Sequence, residues 1–193
     1  MDWIIRELLI QLEKRHIVNK EDLEIYGFGL ECTILKFLHL LSYLFIGICM
    51  GEILSLAVSG SVLILLRQKA GGVHAGTRLG CYIYSCTIVI LLCLLNKAPF
   101  IPIYSIIGVI VADLLIILFA PLENENRELD ADEKKVFRKQ VIGYLIVVNM
   151  IIAIFLVVNK YLFVAYWMCN GLIFTGALLV LGVVKQAKNS NCK

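Results

Sequence analysis

The sequence predicts an all-α, polytopic membrane protein with about six membrane helices, an amphipathic N-terminal helix and both termini in the cytoplasm. Three observations carry this. Of 193 residues, 60% are hydrophobic and only 17% charged, whereas soluble domains hold about 45–50% apolar and about 25% charged residues. Mean hydropathy is +0.87, which leaves too little polar surface to cover a water-soluble globule. Long apolar runs recur at 83–95, 100–120, 141–158 and 161–184, near the roughly 20 residues that a span requires. The length fits one integral-membrane domain over 1–193, divided into a helical segment at 1–29, membrane helices at 30–185 and a connecting loop at 67–80.

The elements follow in order. The start, MDWIIRELLIQLEKRH, sets Ile4, Ile5, Leu8, Leu9 and Leu12 on one helical face and Arg6, Glu7, Glu13, Lys14 and Arg15 on the other. It has no uninterrupted apolar core of the secretory type. Two placements suit such a helix: flat on the membrane surface, or packed on the protein's own cytoplasmic side. Asn19, with Asp22 three residues on, can cap the next helix. The first apolar stretch covers 30–50, interrupted by Glu31, Lys36 and His39. Gly51 and Glu52 make a turn and 53–66 returns, so the two arms form a short hairpin that must tilt or be partly buried. Spans at about 81–96, 100–120, 141–158 and 161–184 bring the total to six. Pro121 ends the fourth, because proline removes a helical hydrogen bond. The following APLENENRELDADEKKVFRKQ, acidic then basic, reads as a solvated connector or as a docking surface for a charged peptide.

Cations orient the chain. Loops at 51–52, 96–99 and 159–160 hold only Lys97 and Lys160, while sixteen of the eighteen Lys and Arg fall in the N-terminal part as far as Lys36, the loops at 67–80 and 121–140, and the tail. The bias toward cytoplasmic positive charge then puts both termini and the 67–80 loop in the cytoplasm. Seven cysteines (Cys32, Cys49, Cys81, Cys86, Cys93, Cys169 and Cys192), mostly inside apolar runs, do not read as a disulfide framework. No C-x-x-C pair points to structural zinc, and neither a metal nor a cofactor is expected. Cys86 and Cys93 read as packing residues.

Chemistry concentrates in RQKAGGVHAGTRLGC, residues 67–81, which packs four glycines, three cations, His74 and Cys81 into fifteen positions. On one continuous helix His74 and Cys81 would stand about 10.5 Å apart along the axis, too far for a hydrogen bond. Gly71, Gly72, Gly76 and Gly80 permit positive-φ turns instead, so a loop can fold His74 back toward Cys81 at the first turn of the third span. Thiolates are the reactive form of cysteine, and helix N-termini and cations favour them while a histidine takes the proton. Packing residues would look the same on these features alone. Asp113 is an intramembrane carboxylate, so it faces protein or water. It lies roughly 12 Å from the Pro121 end of its helix on helical rise, where a structural partner or the orienting of His74 are both open to it.

The pattern Arg67-x-x-x-Gly71-Gly72-x-His74-Ala75 with cysteine seven residues after the histidine closely resembles the accessory gene regulator B (AgrB) family of membrane endopeptidases. Chain length, the amphipathic start and FAPLENEN after the fourth span extend the resemblance to nearly the whole chain. It implies that His74 is the catalytic base and Cys81 the nucleophile. Arg67 and Gly72 match positions the family needs for activity, and Glu31 matches a polar position sometimes occupied by glutamine. Helping the first helix face a wet interior is the other role open to Glu31.

The resemblance further implies the reaction. A thiol endopeptidase in the bacterial cell membrane, its site facing the cytoplasm, would cut the charged C-terminal tail from a small AgrD-like precursor peptide. The acyl-enzyme thioester would pass to the peptide's internal cysteine, closing a thiolactone quorum-sensing signal. The partners are that peptide and the lipid bilayer, with a homodimer open and no nucleic acid. A hydrolytic peptidase without cyclisation uses the same dyad. A non-enzymatic transporter or export component, with Glu31 and Asp113 marking a path, is the alternative of a different class, although no internal repeat or nucleotide-binding motif accompanies it.

Overall fold

The computed structural model describes residues 2–15, 18–19, 22–72, 77–122 and 130–190. Among them are seven α-helices and no strand: α1 (Asp2–Lys14), α2 (Leu23–Met50), α3 (Ile53–Ala70), α4 (Arg78–Lys97), α5 (Pro102–Phe119), α6 (Ala131–Val157) and α7 (Leu162–Ser190). Six of them, α2 to α7, are long and apolar enough to cross a membrane. The chain divides into two units, 1–45 and 46–193.

In the first unit, α1 turns Ile5 inward, and Leu9 lies against Gly27 of α2, where an added Cβ would meet its side chain at 3.2 Å. The amphipathic pattern thus buries Ile5 while leaving Trp3 75% exposed. α2 begins at Leu23, after a backbone bond from Asp22 N–H to the Asn19 carbonyl (3.1 Å). Its hydroxyls turn onto their own helix: Thr33 donates to the Gly29 carbonyl and Ser42 to the Leu38 carbonyl. Lipid offers no other partner, so a polar side chain there must be satisfied locally.

In the second unit α7 is the most buried helix and packs most extensively on α5 and α3. One core joins Val62, Leu66 and Ala70 of α3, Val109, Ala112 and Ile116 of α5, Val141, Leu145, Val148 and Ile152 of α6, and Cys169, Leu172 and Leu179 of α7. A smaller cluster seats α4 through Ile88 and Leu92 against Leu63 and Leu178. Close approach between helices needs small residues, because lipid supplies no hydrophobic drive for helix association. Gly171 lies so near the Ser59 backbone that a Cβ would collide with its carbonyl oxygen, and Gly176 faces Ala112.

Polar side chains pin one end of this bundle. Asn96 of α4 donates to Ser59 Oγ (2.9 Å) and accepts from Asn170 of α7 (3.0 Å), while Ser59 donates to the Ser55 carbonyl (2.7 Å). The Tyr166 hydroxyl donates to the carbonyls of Leu95 and Ala98 at the C-terminus of α4. The turn at Gly51 (φ 68°) joins α2 to α3 as expected.

Two boundaries differ from the hydropathy reading. α6 begins at Ala131 rather than near 141, because Asp130 and Glu133 form a capping box that starts the helix in its charged portion. Half of the expected 121–140 connector is therefore helix. α3 ends at Ala70 and α4 begins at Arg78, both within the expected 67–80 segment, and Gly80 is helical.

Candidate active site

α3 carries Arg67 and ends at Ala70, where Gly71 (φ 80°) and Gly72 (φ 152°) turn the chain out of the helix. Both angles lie where a side chain is strained and glycine is not. Space makes the same demand at Gly71, since a Cβ there would run into the Leu122 carbonyl. Leu122 in turn donates its N–H to the Ala70 carbonyl at 2.9 Å. The exits of α3 and α5 are therefore bound together, and both lie against α7 at Gly182, whose missing side chain makes room for Leu122 and Gly72.

Past the break, Thr77 caps α4. Its backbone is extended (φ −126°, ψ 151°) and its hydroxyl accepts from the Gly80 N–H at 3.1 Å. Helical bonding begins with Cys81 N–H to the Thr77 carbonyl (2.9 Å), so Cys81 is the fourth residue of α4. Its thiol is half-buried, like that of Cys86, whereas Cys93 and Cys169 are buried. Residues 81, 84, 88 and 92 follow the spacing of one helical face, and Ile88 and Leu92 of that face are buried. Cys81 thus stands where the inward face of α4 meets the end of the bundle.

Arg67 brings α3 to this place. Its guanidinium lies over the Tyr84 ring, 5.8 Å from the centroid, and its Nε is 3.5 Å from where a Gly72 Cβ would sit. A larger residue at 72 would press on Arg67 at a backbone angle that already disfavours it. Lys69 adds a second cation, over the Phe137 ring of α6 at 4.7 Å.

Of the residues expected from sequence, Arg67 and Gly72 are brought together, and Arg67 is carried to the second turn of α4, directly after Cys81. His74 lies outside the described residues. Glu31 is half-buried in α2, in the first unit. Asp113 sits on α5, its Oδ2 accepting from Asn149 Nδ2 of α6 at 2.9 Å. Its Oδ1 is buried without a hydrogen-bond partner among the described residues. Both residues line a cleft of about 460 Å³ between α5 and α6, with Ile117, Ile142 and Met150 among its walls.

Sequence reading did not single out Tyr84, Thr77, Leu122 or Asn149. Thr77 carried a signal, a capping residue three positions before Gly80 and directly after the glycine break. Tyr84 carried a weaker one, its spacing of three from Cys81. Nothing local marks Leu122 or Asn149, whose roles depend on another helix.

The family model for Accessory gene regulator B matches residues 5–183, from the amphipathic start into the last helix. The chain belongs to the accessory gene regulator B family. Membership is consistent with a role in the agr quorum-sensing system and with protease activity, and the six apolar helices make this member a multi-pass membrane protein. No curated protein and no solved structure matches the chain.

Proposed function

We propose that this accessory gene regulator B protein is a membrane cysteine endopeptidase that trims the C-terminal tail from an AgrD-like precursor peptide and hands the remainder on as a thiolactone. The observation that carries the reading is Cys81, half-buried at the start of α4 beside a glycine break, in a chain that matches the family over 5–183. His74, in the intervening segment, takes the Cys81 proton. The thiolate attacks the carbonyl at the tail junction, the tail amine leaves with the proton from His74, and the peptide stays on Cys81 as a thioester. The precursor's internal cysteine then displaces Cys81 and closes the ring.

Exchange of one thioester for another costs little bond energy, whereas water would end the intermediate irreversibly. The site must therefore exclude water. The close packing of Ala70, Leu122 and Gly182 at this end of the bundle supports that requirement. The site faces the cytoplasm, where the cations of this end favour it.

Purified protein with its precursor tests the reading. Cys81→Ala should abolish tail release while peptide binding persists, and His74→Ala should lose nearly as much. The double variant should be little worse, since members of one nucleophile–base unit lose activity non-additively. With the precursor's ring cysteine changed to alanine, the tail should still leave and a hydroxylamine-labile adduct should build up on Cys81. Tail release by the Cys81→Ala protein would refute the mechanism.

A further inference from the structure

Tyr84 follows Cys81 by three residues on α4. Side chains at that spacing are neighbours, with Cβ atoms about 5–6 Å apart, and helical side chains lean toward the N-terminus. By that tilt the Tyr84 side chain is directed toward the turn that holds Cys81. It packs on the cluster formed by Leu63, Ile88, Leu92 and Leu178, and its hydroxyl oxygen is buried without a hydrogen-bond partner among the described residues. A phenol used only to fill space would be replaced at no cost by phenylalanine, and a buried hydroxyl without a partner is unfavourable. The Arg67 guanidinium lies over the same ring, 5.8 Å from its centroid, and adds positive charge there.

We propose that Tyr84 is a catalytic residue whose hydroxyl donates to the oxyanion formed when Cys81 attacks a peptide carbonyl, with Arg67 as the positioning residue that fixes the ring. This rests on the reading of Cys81 as the nucleophile. In the step, sulfur bonds the carbonyl carbon and the π pair moves onto oxygen, which accepts a hydrogen bond from Tyr84 without taking its proton. When the pair returns, the C–N bond breaks and the tail amine leaves with the proton that the base removed from Cys81. Tyr84 ends as it began. A donor held near developing charge, away from water, stabilises the transition state with little reorganisation.

Two small reagents separate this role from a structural one. Acylation of Cys81 by p-nitrophenyl acetate passes through an oxyanion, whereas alkylation by iodoacetamide does not. Both rates are read at Cys81 by mass spectrometry on the full-length protein in lipid vesicles. Tyr84→Phe keeps the ring beneath Arg67 and should slow acylation at least about tenfold, toward the roughly 10²–10³-fold range of oxyanion donors. Alkylation should stay within about twofold. A parallel fall in both rates would mean that Tyr84 supports only the fold, and no fall in either would remove it from the chemistry; each result overturns the proposal. A protein with 3-fluorotyrosine in place of Tyr84, nearly the same size and a stronger donor, should keep or raise the ratio of acylation to alkylation, and a drop to the phenylalanine value would count against it. If Cys81 of the unaltered protein reacts no faster than Cys86 with either reagent, the peptidase reading and this proposal fall together.

Discussion

At the scale of single residues, Cys81 and Cys86 share one helix and the same half-buried state, yet only Cys81 belongs to the start of α4. A helix N-terminus favours negative charge by about 0.3–1 kcal/mol within its first turn, and Arg67 and Lys69 leave α3 at the same end. Both thiols are half-buried, so a large rate difference points to the helix start and its cations. At neutral pH and brief exposure to iodoacetamide, Cys81 should be alkylated several-fold faster than Cys86, with the buried Cys93 and Cys169 slower still. Equal labelling of Cys81 and Cys86 in the mass spectrum would leave no reason to regard Cys81 as activated. The glycine break and the start of α4 around Cys81 were legible in the sequence because composition marks them against an apolar background, as it does His74, which lies outside the described residues. Tyr84 was not, because an aromatic residue in a membrane helix is ordinary until its hydroxyl is seen buried with no partner among the described residues.

At the scale of elements, the helix ends record two kinds of signal. Hydropathy finds where a segment enters lipid, which is why it places the start of α6 near 141. The capping box at Asp130 and Glu133 sets where the helix begins in water, ten residues earlier. That signal is local and was available in the sequence as Asp-x-x-Glu. Packing between helices carries no such mark. Gly171 and Gly143 look alike in sequence, but a Cβ at Gly171 would strike the Ser59 carbonyl, while one at Gly143 meets nothing within 4 Å. Gly171→Ala should push α3 from α7 and destabilise the protein by about 1–3 kcal/mol, the usual range for overpacking. Gly143→Ala should be neutral or stabilising by up to about 1 kcal/mol from helix propensity. Thermal unfolding of both variants in detergent gives the comparison, and a Gly171→Ala protein as stable as the Gly143→Ala one would show that α3 and α7 do not touch as described.

At the scale of the whole molecule, two sets of contacts sort the connections of the second unit by end. The Leu122–Ala70 bond joins the exits of α3 and α5, while Tyr166 near the start of α7 holds the exit of α4. Arg78 and Lys134 therefore belong to one end, and Lys97 and Lys160 to the other. From the cation bias we propose that the first end faces the cytoplasm. With single cysteines introduced at these four positions, an impermeant maleimide added to intact cells should label 97 and 160 and spare 78 and 134. Labelling of position 78 from outside would reverse the orientation and move the proposed site out of the cytoplasm. The number of spans, their order and the glycine break between α3 and α4 were determined by the sequence alone, because partition into lipid and the breaking of a helix by glycine depend on neighbours along the chain. Which helices meet was decided only by tertiary structure. In lipid a helix is apolar on every face, so periodicity does not mark the face that packs. The links from Asn96 to Ser59 and Asn170, from Asn149 to Asp113 and from Arg67 to Tyr84 arise between helices, and become visible only once the helices are in contact.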